Sequence, residues 1–279
     1  MKESGTIECS DGSKVAFFEG GDTSSPALFF IHGNSLSASI FSQQFEDAQL
    51  KKFHLIAFDL PGHGNSEGPK DSEQGYALNS LVRTVEYVFQ HFNKKTSIAV
   101  GFSLGAHLLM ENIHSPQLFE GAFLFGYPPL SDIADLARAA GDNPALKLVF
   151  QETLSSNDID VIVKEYINGE NTVSANSIKK MIEHTDPHFR SVLGRSASNG
   201  LVVNEIHILE SFRNPVALIQ FQNDMITADG YMNHLALKNL WKGKIHKINN
   251  ALHCGFIDQQ LQFNELLHKY AQEIFESDR

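Results

Sequence analysis

Gly101-Phe102-Ser103-Leu104-Gly105 fits the pattern Gly-x-Ser-x-Gly, and it stands between a short apolar run, SIAV, and a stretch with helical spacing, LGAHLLMENIH. A serine on so tight a strand-to-helix turn has its hydroxyl lifted above the sheet edge. It also lies at a helix N-terminus, whose free N–H groups favour developing negative charge. Such a serine attacks carbonyl carbon, and a hydroxyl is too weak a nucleophile at neutral pH to do so unaided, so a base must take its proton. Three required positions in five would be a weak signal alone; the strand before, the helix after and the partners downstream make it specific.

The chain has 13 histidines, so position must choose the base. In the order serine, acid, histidine, the base follows the last core strand and precedes the final helix. His253, in KIHKINNALHCGF, sits there. His246 lies within the strand and reads as packed or solvent-facing. His107 is on the nucleophile's own helix, where it can line the site but reaches the serine oxygen awkwardly, and His63 belongs to a glycine turn. The orienting carboxylate should end the preceding strand. VALIQFQND ends at Asp224; Asp229 is the nearest competitor, and Asp132 is the candidate after an earlier strand. An ionised acid there holds the tautomer of His253 and stabilises the imidazolium without taking the proton itself.

The oxyanion that forms on attack needs donors already in place. Ile31-His32-Gly33-Asn34 follows the apolar run ALFF, and the loop after that strand supplies one backbone N–H while the residue after the nucleophile supplies the other. These are Asn34 and Leu104. His32, at the strand end, reads as a local hydrogen-bonding residue that holds the loop.

The elements that must position these groups are short and regular. ALFFI, FHLIAF, SIAV, GAFLF and VALIQF are unbroken apolar runs, the form taken by parallel strands covered on both faces. Before them, TIEC and KVAFFEG flank Asp11-Gly12 as a hairpin. NSLVRTVEYVFQHF has helical spacing with Asn79 or Ser80 able to cap it, the helix after Ser103 should stop before Pro116, and the C-terminal stretch is helical through Leu261, Leu266, Tyr270 and Ile274. From about Pro128 to Asn204 no core strand is legible, only helix-like pieces. The expected architecture is α/β, a mostly parallel central sheet flanked by helices with a helical cap inserted after the sixth strand. Core residues are 1–127 and 204–279, and the cap is 128–203, over the sheet's carboxyl edge where such folds bind ligands.

With 42% hydrophobic and 20% charged residues among 279, the chain has ample material for a core. Its formal charge of −11 argues against a nucleic acid or an anionic membrane as partner. Cys9 and Cys254 give no disulfide framework, no secretory leader or membrane span is legible, and the expected location is cytoplasmic. No metal-ligand spacing is present, so no cofactor is expected.

The motifs HGN, DLPGHGNS (59–66), GFSLGAH and NALHCGF together resemble the α/β-hydrolase superfamily over most of the chain, the cap least. IHGNSLSASIF, GYPPL and NLWKGKIHKINNALHCGF are similar to segments of the metal-free N-acyl-homoserine-lactone hydrolases of that fold. The resemblance implies Ser103 as nucleophile, Asp224 as acid, His253 as base, Asn34 and Leu104 as oxyanion donors, and a tyrosine of the cap near the substrate, for which Tyr166 is nearby but not aligned. The chain departs from it in GAH for the commoner GGH and in lacking a glycine before the acid.

The reading that follows is a serine hydrolase that cleaves a small-molecule carboxylic ester or lactone with an apolar acyl group, through an acyl-enzyme. Acyl transfer, perhydrolysis or carbon–carbon bond hydrolysis could use the same residues, and a non-catalytic ligand sensor could keep the fold.

Overall fold

The computed structural model describes all residues except 10–11, 95, 113–118, 141–142, 200–202, 228–229, 236 and 278–279. Asp11, Pro116 and Asp229 therefore lie outside the described residues.

Among the described residues eight strands form one sheet: β1 (Gly5–Glu8), β2 (Lys14–Gly21), β3 (Ala27–Ile31), β4 (His54–Phe58), β5 (Ser97–Phe102), β6 (Gly121–Phe125), β7 (Val216–Phe221) and β8 (His246–Ile248). Their order is β1-β2-β4-β3-β5-β6-β7-β8. The first two pair antiparallel, and β2 meets β4 antiparallel; every later pairing is parallel. The apolar runs are buried throughout, because helices cover both faces. Alternate side chains feed opposite cores: Leu28 and Phe30 enter one apolar cluster, Phe29 and Ile31 the other.

This topology decides where a ligand can bind. The chain leaves β3 towards β4 on one side, then crosses back to β5 on the other, so strand order reverses between β3 and β5. A crevice opens at the carboxyl ends of strands at such a point. The register brings Ile31 level with Gly101, and Phe102 level with Phe125. The residues that follow β3, β5 and β6 (His32, Ser103 and Gly126) thus emerge side by side at one edge.

Between β6 and β7 the chain forms helices Asp135–Ala140, Pro144–Leu148, Ser156–Tyr166, Thr172–His184, Pro187–Ser198 and Glu205–Ser211. Local chemistry sets several of their starts. Ser155 and Asp158 make a reciprocal capping box, and Asn143 and Asp186 cap helices that begin with proline. The helix Leu78–Phe92 departs from expectation. Its N-cap is Ala77, not Asn79 or Ser80, and the first N–H, of Leu78, is satisfied at 2.9 Å by Ser196 Oγ from the helix Pro187–Ser198. A tertiary hydroxyl here does the work of a local cap. In the final helix, Gln260–Ser277, Leu261 is 81% exposed, and Phe263, Leu267, Tyr270, Ala271 and Ile274 make the buried face.

Ser196→Ala leaves the buried Leu78 N–H without its acceptor. The substitution is expected to cost about 1 kcal/mol, read as a fall of about 2–4 °C in Tm.

Candidate active site

Ser103 has φ 51, the left-handed region, and its N–H is tied to Phe125 O at 3.0 Å. A non-glycine residue held there is strained, and strain of this kind survives only where its surroundings enforce it. They do so by close approach. A methyl group on Gly105 would lie 2.3 Å from Ile31 O, and one on Gly101 2.7 Å from Leu109 Cδ1. The two motif glycines let the elbow helix, Leu104–Asn112, pass directly against β3 and under the turn.

Asp224 follows β7 and is almost fully buried. Its Oδ1 accepts from the N–H groups of Ile226 (2.8 Å) and Thr227 (3.3 Å), and its Oδ2 faces Nδ1 of His253 at 2.9 Å. A carboxylate so supplied with donors only accepts, so Nδ1 carries the hydrogen and donates it. The neutral ring then bears its lone pair on Nε2, which is buried with no hydrogen-bond partner among the described residues. The loop is held from above, where His253 N–H donates to Glu165 O and Cys254 N–H to Tyr166 O. The imidazole lies against Phe102 and Tyr166, with ring centroids 4.9 and 5.0 Å away.

Ser103, Asn34, Leu104 and Gly126 line one cavity with Tyr166 and a largely apolar wall. His253 stands immediately behind Gly126, since a methyl on that glycine (φ 57) would reach 3.1 Å from His253 Cε1. Ser103 and His253 share no hydrogen bond in this structure; they meet through Phe102 and the gap left by Gly126. The cavity measures about 90 Å³ and opens to solvent at its mouth. The backbone N–H groups of Asn34 and Leu104 donate to no acceptor among the described residues.

The Asn34 loop is braced from three sides. His32 Nδ1 donates to Gly33 O at 2.8 Å, and its Nε2 accepts from Leu60 N–H at 2.9 Å, so the ring is a neutral clamp between two loops. Burial holds it down to about 4 from the ordinary 6.5. Asp59 accepts from Ala38 N–H and Asn65 N–H, and burial raises its carboxyl to about 6 against the pull of those donors. Asn34 Nδ2 donates to Val149 O, and its Oδ1 accepts from Ser35, itself left-handed at φ 57. Arg190 completes the brace. This buried guanidinium donates to the carbonyls of Gln151 and Glu152 at 2.9 and 3.0 Å and to Ser35 Oγ at 3.3 Å.

The remaining histidines sort by their partners. His246 stacks on Trp241, and His63 is buried against Phe189. His107 Nδ1 lies 2.7 Å from Glu205 Oε1. Asp132 accepts locally from Ala134 N–H. Arg190 and Glu205 carried no signal in the sequence, because each acts through residues distant along the chain; Gly126 opens the GYPPL segment, but its place in front of His253 was not legible.

A family model for the alpha/beta hydrolase fold matches residues 26–111. A structure of the N-acyl homoserine lactonase AidH, a mutant complexed with N-hexanoyl homoserine lactone, is similar over 99% of both chains, with a TM-score of 0.91 and 25% identity. A putative aryl esterase from Burkholderia cenocepacia shares the fold at a TM-score of 0.80, with 18% identity over 99% of this chain and 100% of that one. Among curated proteins, human Protein ABHD8 is 29% identical over 101 residues, 34% of this chain and 23% of that protein. The chain thus spans about a quarter of the length of that relative. No helix among the described residues is long and apolar enough to cross a membrane.

The depressed pKa of His32 gives a signed prediction. The fold favours its neutral ring, so this contribution is full above about pH 6.5 and is lost as pH falls through about 4, on the order of 3 kcal/mol in all. Ring ¹⁵N shifts should report neutral His32 down to about pH 4; titration near 6.5 would contradict it.

Proposed function

We propose that this chain, a member of the α/β-hydrolase superfamily, is a serine hydrolase that cleaves small carboxylic esters or lactones through an acyl-enzyme. The observation that carries the reading is the loading of Asp224. Two backbone donors on Oδ1 mark Asp224 as an acceptor, which leaves His253 as the Nδ1–H tautomer, with a bare Nε2 on a ring that packs against Phe102, the residue before Ser103.

On this reading Ser103 Oγ attacks the carbonyl carbon as His253 Nε2 takes the hydroxyl proton. Negative charge moves to the carbonyl oxygen, opposite the N–H groups of Asn34 and Leu104. Fixed donors of this kind are worth on the order of 10²–10³ in rate each, because they need no reorganisation as charge develops. The tetrahedral intermediate collapses, the C–O bond to the leaving alkoxide breaks, and His253 returns the proton to it. Water then attacks the acyl-enzyme with His253 as base, and the acid is released with Ser103 restored. In a lactone the alkoxide remains tethered to the acyl group, so one ring-opened hydroxy acid is the product.

The apolar wall, with Leu130, Ile133, Leu136, Leu146 and Val149, suits an aliphatic acyl chain. That AidH, similar over its full length, is known with N-hexanoyl homoserine lactone supports lactones of this type as substrates. A further proposal concerns organisation: residues 128–203 act as a cap that closes the cavity over the sheet edge.

Ser103→Ala is expected to lower p-nitrophenyl hexanoate turnover by at least about 10³-fold, with an unchanged circular dichroism spectrum. Turnover near that of the unaltered protein would refute the assignment.

A further inference from the structure

One wall of the cavity holds a second histidine–carboxylate pair that the reaction above does not use. Glu205 is 1% exposed, and each of its oxygens is engaged. Oε2 accepts from Tyr127 O–H at 3.1 Å and Leu130 N–H at 2.8 Å; Oε1 lies 2.7 Å from His107 Nδ1. As with Asp224, a carboxylate supplied by donors fixes the hydrogen of its histidine on Nδ1. In the neutral form of the ring, Nε2 is therefore the acceptor nitrogen. It has no hydrogen-bond partner among the described residues, and the side chain, 20% exposed, lines the same cavity as Ser103.

Its place relative to the reacting atoms follows from helix geometry. His107 is four residues beyond Ser103, and its N–H donates to Ser103 O at 3.3 Å. Residues so spaced stand about 5–6 Å apart at Cβ on one helix face, and side chains lean back towards the helix N-terminus. The ring thus borders the space beside the elbow. Tyr127, at 4.7 Å between ring centroids and edge-on, keeps it there.

An imidazole anchored this firmly is costly to bury merely as filling, since leucine or phenylalanine would suit the apolar wall better. Resting on the functional reading above, we propose that His107 Nε2 accepts a hydrogen bond from the substrate. The donor is an N–H or O–H on the first or second carbon from the scissile carbonyl. Among esters and lactones, those that carry such a donor are then preferred over those that lack it. Glu205 is a positioning residue that holds the acceptor tautomer.

The test compares N-hexanoyl homoserine lactone with its N-methylated counterpart, which keeps both carbonyls and loses the donor. The unaltered protein should prefer the N–H compound in kcat/KM by about tenfold. His107→Phe should shrink that ratio by about three- to tenfold, the worth of one hydrogen bond. His107→Gln should retain most of it, since its amide N–H can face Glu205 while its carbonyl oxygen accepts from the substrate. A structural role alone would lower both substrates equally and leave the ratio intact, which overturns the proposal. So does an unaltered protein that turns over both compounds alike, a result that needs no variant to fold. Failure of the functional reading looks different: no ester or lactone is turned over and a fluorophosphonate does not label Ser103, and the proposal falls with it.

Discussion

A single backbone torsion sets the geometry from which the rest of the site is built. Ser103 is held at φ 51 between β5 and the elbow helix, a conformation that costs free energy and must be enforced by its neighbours. Enforcement comes from packing: Gly105 under the carbonyl of Ile31, Gly101 against Leu109 and Ala106, and the Ser103 N–H tied to β6. Because the parallel register brings the ends of β3, β5 and β6 level, a side chain raised at this turn stands beside the Asn34 loop. It also stands beside the small opening at Gly126, behind which His253 waits. Any side chain at Gly101, Gly105 or Gly126 would meet a neighbour at 2.3–2.7 Å.

The helices between β6 and β7 reach the site through polar contacts as well as apolar ones. The end of Ser156–Tyr166 receives the N–H groups of His253 and Cys254, so the helix that lines the cavity through Tyr166 also holds the proposed base loop. Arg190, from Pro187–Ser198, reaches Ser35 and through it the side chain of Asn34. A buried guanidinium bound to carbonyl oxygens is stiff, because every lost contact would leave a buried charge under-solvated. These helices therefore contact both the proposed base loop and the Asn34 loop.

Much of this was legible in the sequence for physical reasons. Unbroken apolar runs mark strands covered on both faces, and ALFFI, SIAV, GAFLF and VALIQF are buried along their whole length. Asp224 and His253 were selected by where they end or follow a strand, and their side chains are hydrogen-bonded. What sequence could not reveal depends on contacts between distant residues. Glu205 meets His107 across 98 positions and Arg190 meets Ser35 across 155, with nothing local to announce either. The start of Leu78–Phe92 differs from the sequence expectation for the same reason, since its partner hydroxyl, Ser196, lies 118 positions away. Leu261 fits the helical period but lies on the opposite face of the first turn from Phe263, which packs on Phe123, Phe125 and Phe221 of the sheet, so Leu261 stays in solvent.

The central claim is convergence: serine, imidazole and two backbone donors act on one carbonyl group. A crystal structure of the protein after reaction with a p-nitrophenyl alkylphosphonate tests it most directly. The account predicts a covalent bond from phosphorus to Ser103 Oγ and a phosphonyl oxygen about 2.7–3.1 Å from the N–H groups of Asn34 and Leu104. It also predicts His253 Nε2 within hydrogen-bonding distance of an oxygen on phosphorus. An unmodified Ser103, or an adduct whose oxygen turns away from both N–H groups while the imidazole of His253 stays out of reach, would contradict it.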